Sequence, residues 1–292
     1  MRPAFAYRRQ ATPLHAARSG VGFAYCTALA AAALLVDHPI ELVALLAVTC
    51  AAAILGGAGP ELRKLAPWAV LPVVLFALVN ALVSRNGLTV VARLGELPPF
   101  GQIDVTLEAL AYGAVYGLKL TISGVAFLLC TVAVDPDATL RSVRRISPRT
   151  GVAAALATRM IPVLAADAQR VAEAQRCRPE QGRSSHARLV RALLGGSLDR
   201  AVDVAATLEL RGYAGGARPQ RSTRPRGRHD IAFASSALAL VLLAVGARIA
   251  GVASWSADPV VRGPVGLAEI ALAVGWALTA LPAFANRRGI EP

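Results

Sequence analysis

Two arginines in this sequence stand where a helical run is brought to a stop. In "AEAQRCRPEQG" the run reaches Arg178 and meets Pro179; in "LELRGYAGG" it reaches Arg211 and meets Gly212. Proline cannot extend a helix regularly, and glycine takes the left-handed conformation that ends one, so each arginine projects from a helix end. Such a side chain has two uses. As a simple cap it gains about 0.3–1 kcal/mol from the helix macrodipole. As an anchor, its guanidinium grips a partner's carboxylate with two parallel hydrogen bonds, and truncating an anchor of that kind costs ~2 kcal/mol or more. Local chemistry leaves both open.

A second constellation lies in "LEALAYGAVYGLKLTISG". Glu108, Tyr112, Tyr116 and Lys119 recur at helical spacing as a polar stripe, while Gly113, Gly117, Thr121 and Gly124 make a face of small residues suited to close helix contact. A lysine inside hydrocarbon is costly unless it pairs or reaches water. This face therefore either meets a partner or polar interior, or holds a lysine satisfied within a helix bundle.

Catalytic signatures are missing. There is no GxxxxGK[ST] phosphate loop, no HExxH and no GxSxG, and His15, His38, His186 and His229 are scattered. Asp37-His38 before Pro39 reads as a loop cap rather than a metal site. Cys26, Cys50 and Cys130 sit in apolar runs, where cysteine behaves as a small hydrophobe. Cys177 lies between two arginines, but no CxxC spacing supports redox work and packing at the helix tip is the better reading.

The elements that carry these residues follow from hydropathy. Of 292 residues 55% are hydrophobic and 17% charged, against about a quarter charged in soluble domains. The mean hydropathy is +0.52. Apolar runs fall at about 20–36, 40–56, 66–83, 107–134, 231–250 and 264–285, to be set against the ~20 residues that span hydrocarbon. The first two are short and joined by the tight "VDHP". The fold class expected is all-α, a polytopic membrane protein with about six transmembrane helices and a long cytoplasmic region of amphipathic helices.

Lysine and arginine set the orientation. One side of a six-span chain holds Arg2, Arg8, Arg9, Arg18, Arg63, Lys64, the stretch from Arg141 to Arg228, and Arg287 and Arg288; the other holds Arg85, Arg93 and Arg262, with Arg248 near a boundary. Both termini are thus expected in the cytoplasm, and Trp68 and Trp255 near the interfaces. Three regions result: 1–135 with four spans, 136–229 cytoplasmic, and 230–292 with two spans. The net charge of +13 is concentrated in the middle region, which fits topology and anionic lipid headgroups. Nucleic acid is excluded as a partner, since Tyr213 is the only aromatic residue between 136 and 230 and base stacking would have almost nothing to use.

The middle region is not a disordered tail. Asp135-Pro136 and Ser147-Pro148 read as N-cap followed by first helical residue. After them come "TGVAAALATRMIPVLAADAQRVAEAQRCR" and "SSHARLVRALLGGSLDRAVDVAATLELRG", two long amphipathic helices, with Pro162 expected to kink the first. Val190, Leu194, Leu198, Ala201, Ala205 and Leu208 share one face of the second. That face needs cover from the other helix, the membrane surface or another protein.

The order of these features resembles the T component of energy-coupling factor transporters, the membrane subunit of bacterial vitamin and metal-ion importers that includes the cobalt- and biotin-type permease subunits. The resemblance runs from "ATPLHAARSG" through "FALVNALVSRNGLTVVARLG", "LEALAYGAVYGLKLT" and "DPDATLRSVRRI" to "ATRMIPVLAADAQRVAEAQRCRP" and "LELRGYAGGARP", the last two being the specific part. In that family two cytoplasmic coupling helices end in a short motif, commonly Ala-Arg-Gly, that inserts into grooves on a pair of ABC-type ATPases. By position the motifs fall on Cys177, Arg178 and Pro179 and on Leu210, Arg211 and Gly212. Cysteine and leucine replace the usual alanine, and proline replaces the first glycine.

The resemblance implies a non-catalytic subunit of the bacterial cell membrane, without a cofactor of its own, ATP and Mg being bound by the partner ATPases. ATP-driven movement of the helix tips would reach a substrate-binding S component, for which the face of Glu108, Tyr112, Gly113, Tyr116, Gly117 and Lys119 is a candidate contact or else a bundle-packing surface. A self-contained permease or channel would need polar residues in several spans, where only the fourth is notably polar. An intramembrane lipid-modifying enzyme would need a carboxylate or histidine cluster at the interface. Neither accounts for the paired helix-end arginines.

Overall fold

The computed structural model describes residues 10–83, 89–97, 101–136, 138–139, 148–177, 185–212, 227–252, 255 and 266–284. Within the first unit, residues 1–139 and 226–292, the elements are α1 (Pro13–Ala16), α2 (Ser19–Leu35), α3 (Pro39–Ala53), α4 (Gly59–Val83), β1 (Val90–Leu97), β2 (Gly101–Thr106) and α5 (Leu107–Ala133). The second unit, residues 140–225, holds α6 (Pro148–Arg176) and α7 (Ser185–Leu210). The chain then returns to the first unit with α8 (Arg228–Ile249) and α9 (Leu267–Thr279).

The six apolar runs are the six helices α2, α3, α4, α5, α8 and α9. Among the described residues three helical stretches are long and apolar enough to cross a membrane: Pro39–Val83, Leu107–Ala133 and Arg228–Ile249. Ser19–Leu35 and Leu267–Thr279 are shorter apolar helices. Pro39–Val83 joins α3 to α4 through a wide π-helical segment, Ile54–Ala58, in which Gly57 has φ +87°. Only glycine takes that conformation without strain, and Gln10 closes over it, its Nε2 donating to the Gly57 carbonyl at 3.3 Å. The chain thereby turns from one span to the next without a loop. The helix also starts earlier than its apolar run, because hydropathy marks lipid contact whereas backbone hydrogen bonding carries α4 back through Glu61, Arg63 and Lys64.

Alanine-rich α2 lies in the core of this unit, packed against α5 and α8. Tyr25 stacks edge-on against Phe233 of α8 at 5.3 Å, and its hydroxyl donates to the Thr279 carbonyl at 3.4 Å. Trp276 of α9, fully buried, donates its indole N–H to Glu41 Oε2 of α3 at 2.7 Å. At the start of α8, Asp230 accepts from the Arg18 N–H at 2.6 Å and from the Gly227 N–H at 3.0 Å, tying the starts of α2 and α8. These buried polar groups find partners on other helices, which is what makes such burial tolerable, whereas the second carboxylate oxygen of Glu41 and His38 Nδ1 are buried without a hydrogen bond.

The antiparallel hairpin β1–β2 was not expected from the sequence. It pairs Val90 with Thr106 and Leu97 with Gly101, between the end of α4 and the start of α5. A signal for it exists: β-branched "TVV" and "IDVT" flank a Pro-Pro pair and a glycine, the punctuation of a turn.

Candidate functional site

In the second unit α6 and α7 pack on each other. Asp167 of α6 accepts from Arg200 Nη1 of α7 at 2.7 Å and from Arg170 Nη2, one turn along α6, at 2.8 Å. These charge-assisted bonds, Arg200 foremost, hold the Asp167 carboxyl below the ordinary aspartate range. Contact between the helices leaves most of the apolar stripe of α7 uncovered: Val190, Leu194 and Leu198 are 52–67% exposed and Ala201 and Ala205 are exposed, as is the neighbouring Val202, whereas Leu208 is half-buried. Ile161 of α6 is exposed as well.

The α7 ending is built as its sequence implies. The Arg211 N–H donates to the Thr207 carbonyl at 3.2 Å and the Gly212 N–H to the Glu209 carbonyl at 2.9 Å. Gly212 has φ +72°, and a Cβ there would meet nothing within 4 Å, so backbone conformation rather than space demands glycine. Leu210 is 89% exposed, and Arg211 is exposed beside it. At the other ending Cys177 is exposed and its N–H closes the last turn on the Glu173 carbonyl at 3.3 Å. Arg178 and Pro179 lie outside the described residues.

The two endings stand in equal relation to the tie between their helices. Cys177 follows Asp167 by ten residues, and Leu210 follows Arg200 by the same ten. At 1.5 Å per residue Cys177, one residue past α6, and Leu210, the last residue of α7, each lie about 15 Å along the axis from the paired charges.

The polar and small residues of α5 divide into two sets. Gly113 and Gly117 turn inward: a Cβ on Gly113 would fall 2.4 Å from the Phe76 carbonyl oxygen, and one on Gly117 2.4 Å from Val73 Cα. The two backbones touch here, and the contact is fastened by Asn80 Nδ2 donating to the Ala109 carbonyl at 2.8 Å and Thr121 Oγ1 donating to the Ala69 carbonyl at 3.0 Å. Glu108 is buried and accepts from the Thr89 N–H at 3.3 Å. Lys119, 7% exposed in its side chain, is paired with Asp37, on the connection between α2 and α3; Arg248 at the end of α8 binds the same carboxylate. The Lys119 ammonium also lies 5.2 Å from the centre of the Tyr116 ring. Tyr112 and Tyr116 face outward, each 42% exposed, with their hydroxyls 2.9 Å apart.

Sequence reasoning did not find Asp37 or Arg248 as the partners of this site, nor the Asp167–Arg200 tie. Asp37 is 82 residues from Lys119 and Arg200 is 33 from Asp167, separations over which helical periodicity carries no information.

Apolar helices with inward-facing polar groups, joined in the chain to a pair of amphipathic helices with exposed tips, define a polytopic α-helical membrane protein. The model of the cobalt transport protein family, CbiQ, matches residues 10–223, well over half of the chain, and the chain belongs to that family. The match takes in α1 to α7 and both arginine endings, in agreement with the resemblance to energy-coupling factor T components. No individual curated protein matches the chain.

Proposed function

We propose that this protein is the transmembrane T subunit of an energy-coupling factor importer of the bacterial cell membrane, with both termini in the cytoplasm. Cys177, Arg178 and Pro179 on one side and Leu210, Arg211 and Gly212 on the other seat in a pair of ABC-type ATPases. ATP and Mg belong to those ATPases, and this subunit performs no chemistry of its own. Its work is to carry their movement through α6 and α7 to an S component that binds the vitamin or transition-metal ion.

The observation that supports this most directly is the equal placement of the two endings about the Asp167–Arg200 tie. Two like subunits related by a two-fold axis present two like grooves, and two helix ends at matched distances from a common tie suit such a pair. A simple cap has no need of that equality. The uncovered stripe of α7 supports the same reading, since an apolar helical face of this kind is covered by a further subunit.

Copurification tests it. With the protein tagged and expressed beside the ATPases encoded near it, Arg178→Glu combined with Arg211→Glu is expected to lower ATPase recovery at least tenfold and abolish uptake, while membrane levels of the tagged chain stay unchanged. Undiminished recovery and uptake in that double variant would refute the proposal.

A further inference from the structure

In α5, Leu107–Ala133, Lys119 stands about 18 Å from the first residue and about 21 Å from the last, at 1.5 Å per residue. In a span set against about 30 Å of hydrocarbon it lies near half depth. Two other helices stop at that level. The Lys119 ammonium meets the Leu34 carbonyl at the end of α2 at 3.4 Å, and Arg248 at the end of α8 binds Asp37, the partner of Lys119. Past this level α5 continues against α4, through the contacts of Gly113, Gly117 and Ala109. There Val74, Leu75, Leu78, Val79 and Leu82 of α4 are 42–56% exposed, an apolar surface that needs hydrocarbon. The three charges are therefore inside the apolar layer, not above it.

Two cations meet one carboxylate here, which leaves one positive charge in excess. The side chains of Lys119 and Asp37 are 7% and 28% exposed, whereas that of Arg248 is 54% exposed. Among the described residues its guanidinium donates only to Asp37, through Nη1, so the rest of a five-donor fork stays open. The bond to Asp37 also holds the head at this depth and keeps it from snorkelling to an interface. An exposed guanidinium within an apolar layer is costly unless phosphate or water comes to it. The carbonyl ends of α2 and α8 offset part of the charge. Lys119 takes the Leu34 carbonyl, however, and the Ala250 and Gly251 N–H groups close α8 on the Gly246 and Arg248 carbonyls at 2.9 and 3.4 Å.

The surroundings decide which anion fits. Ile249, next to Arg248, is 82% exposed, and Leu34 is 64% exposed. Tyr116, 42% exposed with its ring 5.2 Å from the Lys119 ammonium, is an amphipathic ring of the kind found at headgroup level. A bidentate grip for phosphate beside apolar side chains suits an amphiphile rather than a free ion. We propose that Arg248, with the excess charge of Lys119 behind it, binds the phosphate of an anionic phospholipid whose acyl chains lie along Leu34 and Ile249.

The test uses the full chain purified in non-ionic detergent and offered phosphatidylglycerol, with retained lipid counted by native mass spectrometry. Wild-type chain is expected to keep one phosphatidylglycerol. Arg248→Gln should lower that occupancy about tenfold, the loss that one charge-assisted hydrogen bond accounts for. Arg248→Lys should keep an intermediate amount, and Arg63→Gln, at an exposed arginine near the start of α4, the full amount. A second reading needs no variant: phosphatidylglycerol with a photoreactive headgroup should cross-link the wild-type chain at peptides containing Asp37 or Arg248. Cross-links confined to the ends of α5, retention equal in Arg248→Gln and wild type, or displacement of the lipid by inorganic phosphate would each overturn the proposal.

Discussion

Lys119, in the interior of α5, gives its charge to Asp37 on the connection between α2 and α3, and Arg248 at the end of α8 shares that carboxylate. One aspartate thus ties together the spans on either side of α2. Lys119→Met leaves Asp37 with Arg248 alone, and Asp37→Asn deprives both cations. Removing one member of a buried pair costs several kcal/mol, lessened here because the carboxylate keeps a second cation, so we expect a loss of about 1–3 kcal/mol for Lys119→Met and more for Asp37→Asn. Thermal unfolding in detergent measures this. The double variant should fall close to Asp37→Asn alone, because members of one network do not add.

The α4–α5 contact predicts a contrast between glycines of one helix. Gly117→Ala places a methyl group 2.4 Å from Val73 Cα, so the backbones must part, at a cost of about 1–3 kcal/mol. Gly124→Ala meets nothing within 4 Å and replaces a poor helix former, so it should be neutral or stabilise by up to about 1 kcal/mol. Melting temperatures of the two variants should move in opposite directions or differ plainly; equal shifts would mean that close packing is not what Gly117 provides.

Asp167 predicts an acid limit for the pairing of α6 and α7. Its carboxyl is held below the ordinary aspartate range by Arg200, so the folded form prefers the ion. The stabilisation is therefore fully present above the unfolded aspartate value of about 3.9 and disappears as pH falls through the lowered value. Spin labels on α6 and α7 of the detergent-solubilised protein should report a fixed separation at neutral pH that broadens in acid. Asp167→Asn should show the broadened distribution at neutral pH already.

Gly212→Ala should cost about 1 kcal/mol locally, because an L side chain resists φ +72° and nothing else opposes it. The chain should still reach the membrane at normal levels. If Arg211 acts as the anchor proposed above, the misdirected tip recovers several-fold less ATPase, whereas Gly195→Ala, an open site in mid-helix, recovers the normal amount.

The six apolar helices were legible in the sequence, as were the Arg211–Gly212 ending and the two long helices of the middle region. A span satisfies its backbone within itself, so length and apolarity suffice to identify it. A proline or a left-handed glycine ends a helix through its own backbone, without reference to the rest of the fold. Family membership rests on the same local information, read along residues 10–223.

Tertiary structure decided what the polar residues do. On the sequence Glu108, Tyr112, Gly113, Tyr116, Gly117 and Lys119 form one candidate face; in the fold the glycines meet α4, the lysine meets Asp37, and only the two tyrosines look outward. Periodicity states which residues share a side of a helix, but not which helix covers that side. Nor does it state that Asp167 and Arg200 join α6 to α7, each ten residues before Cys177 and Leu210, which depends on how two separately legible helices come together.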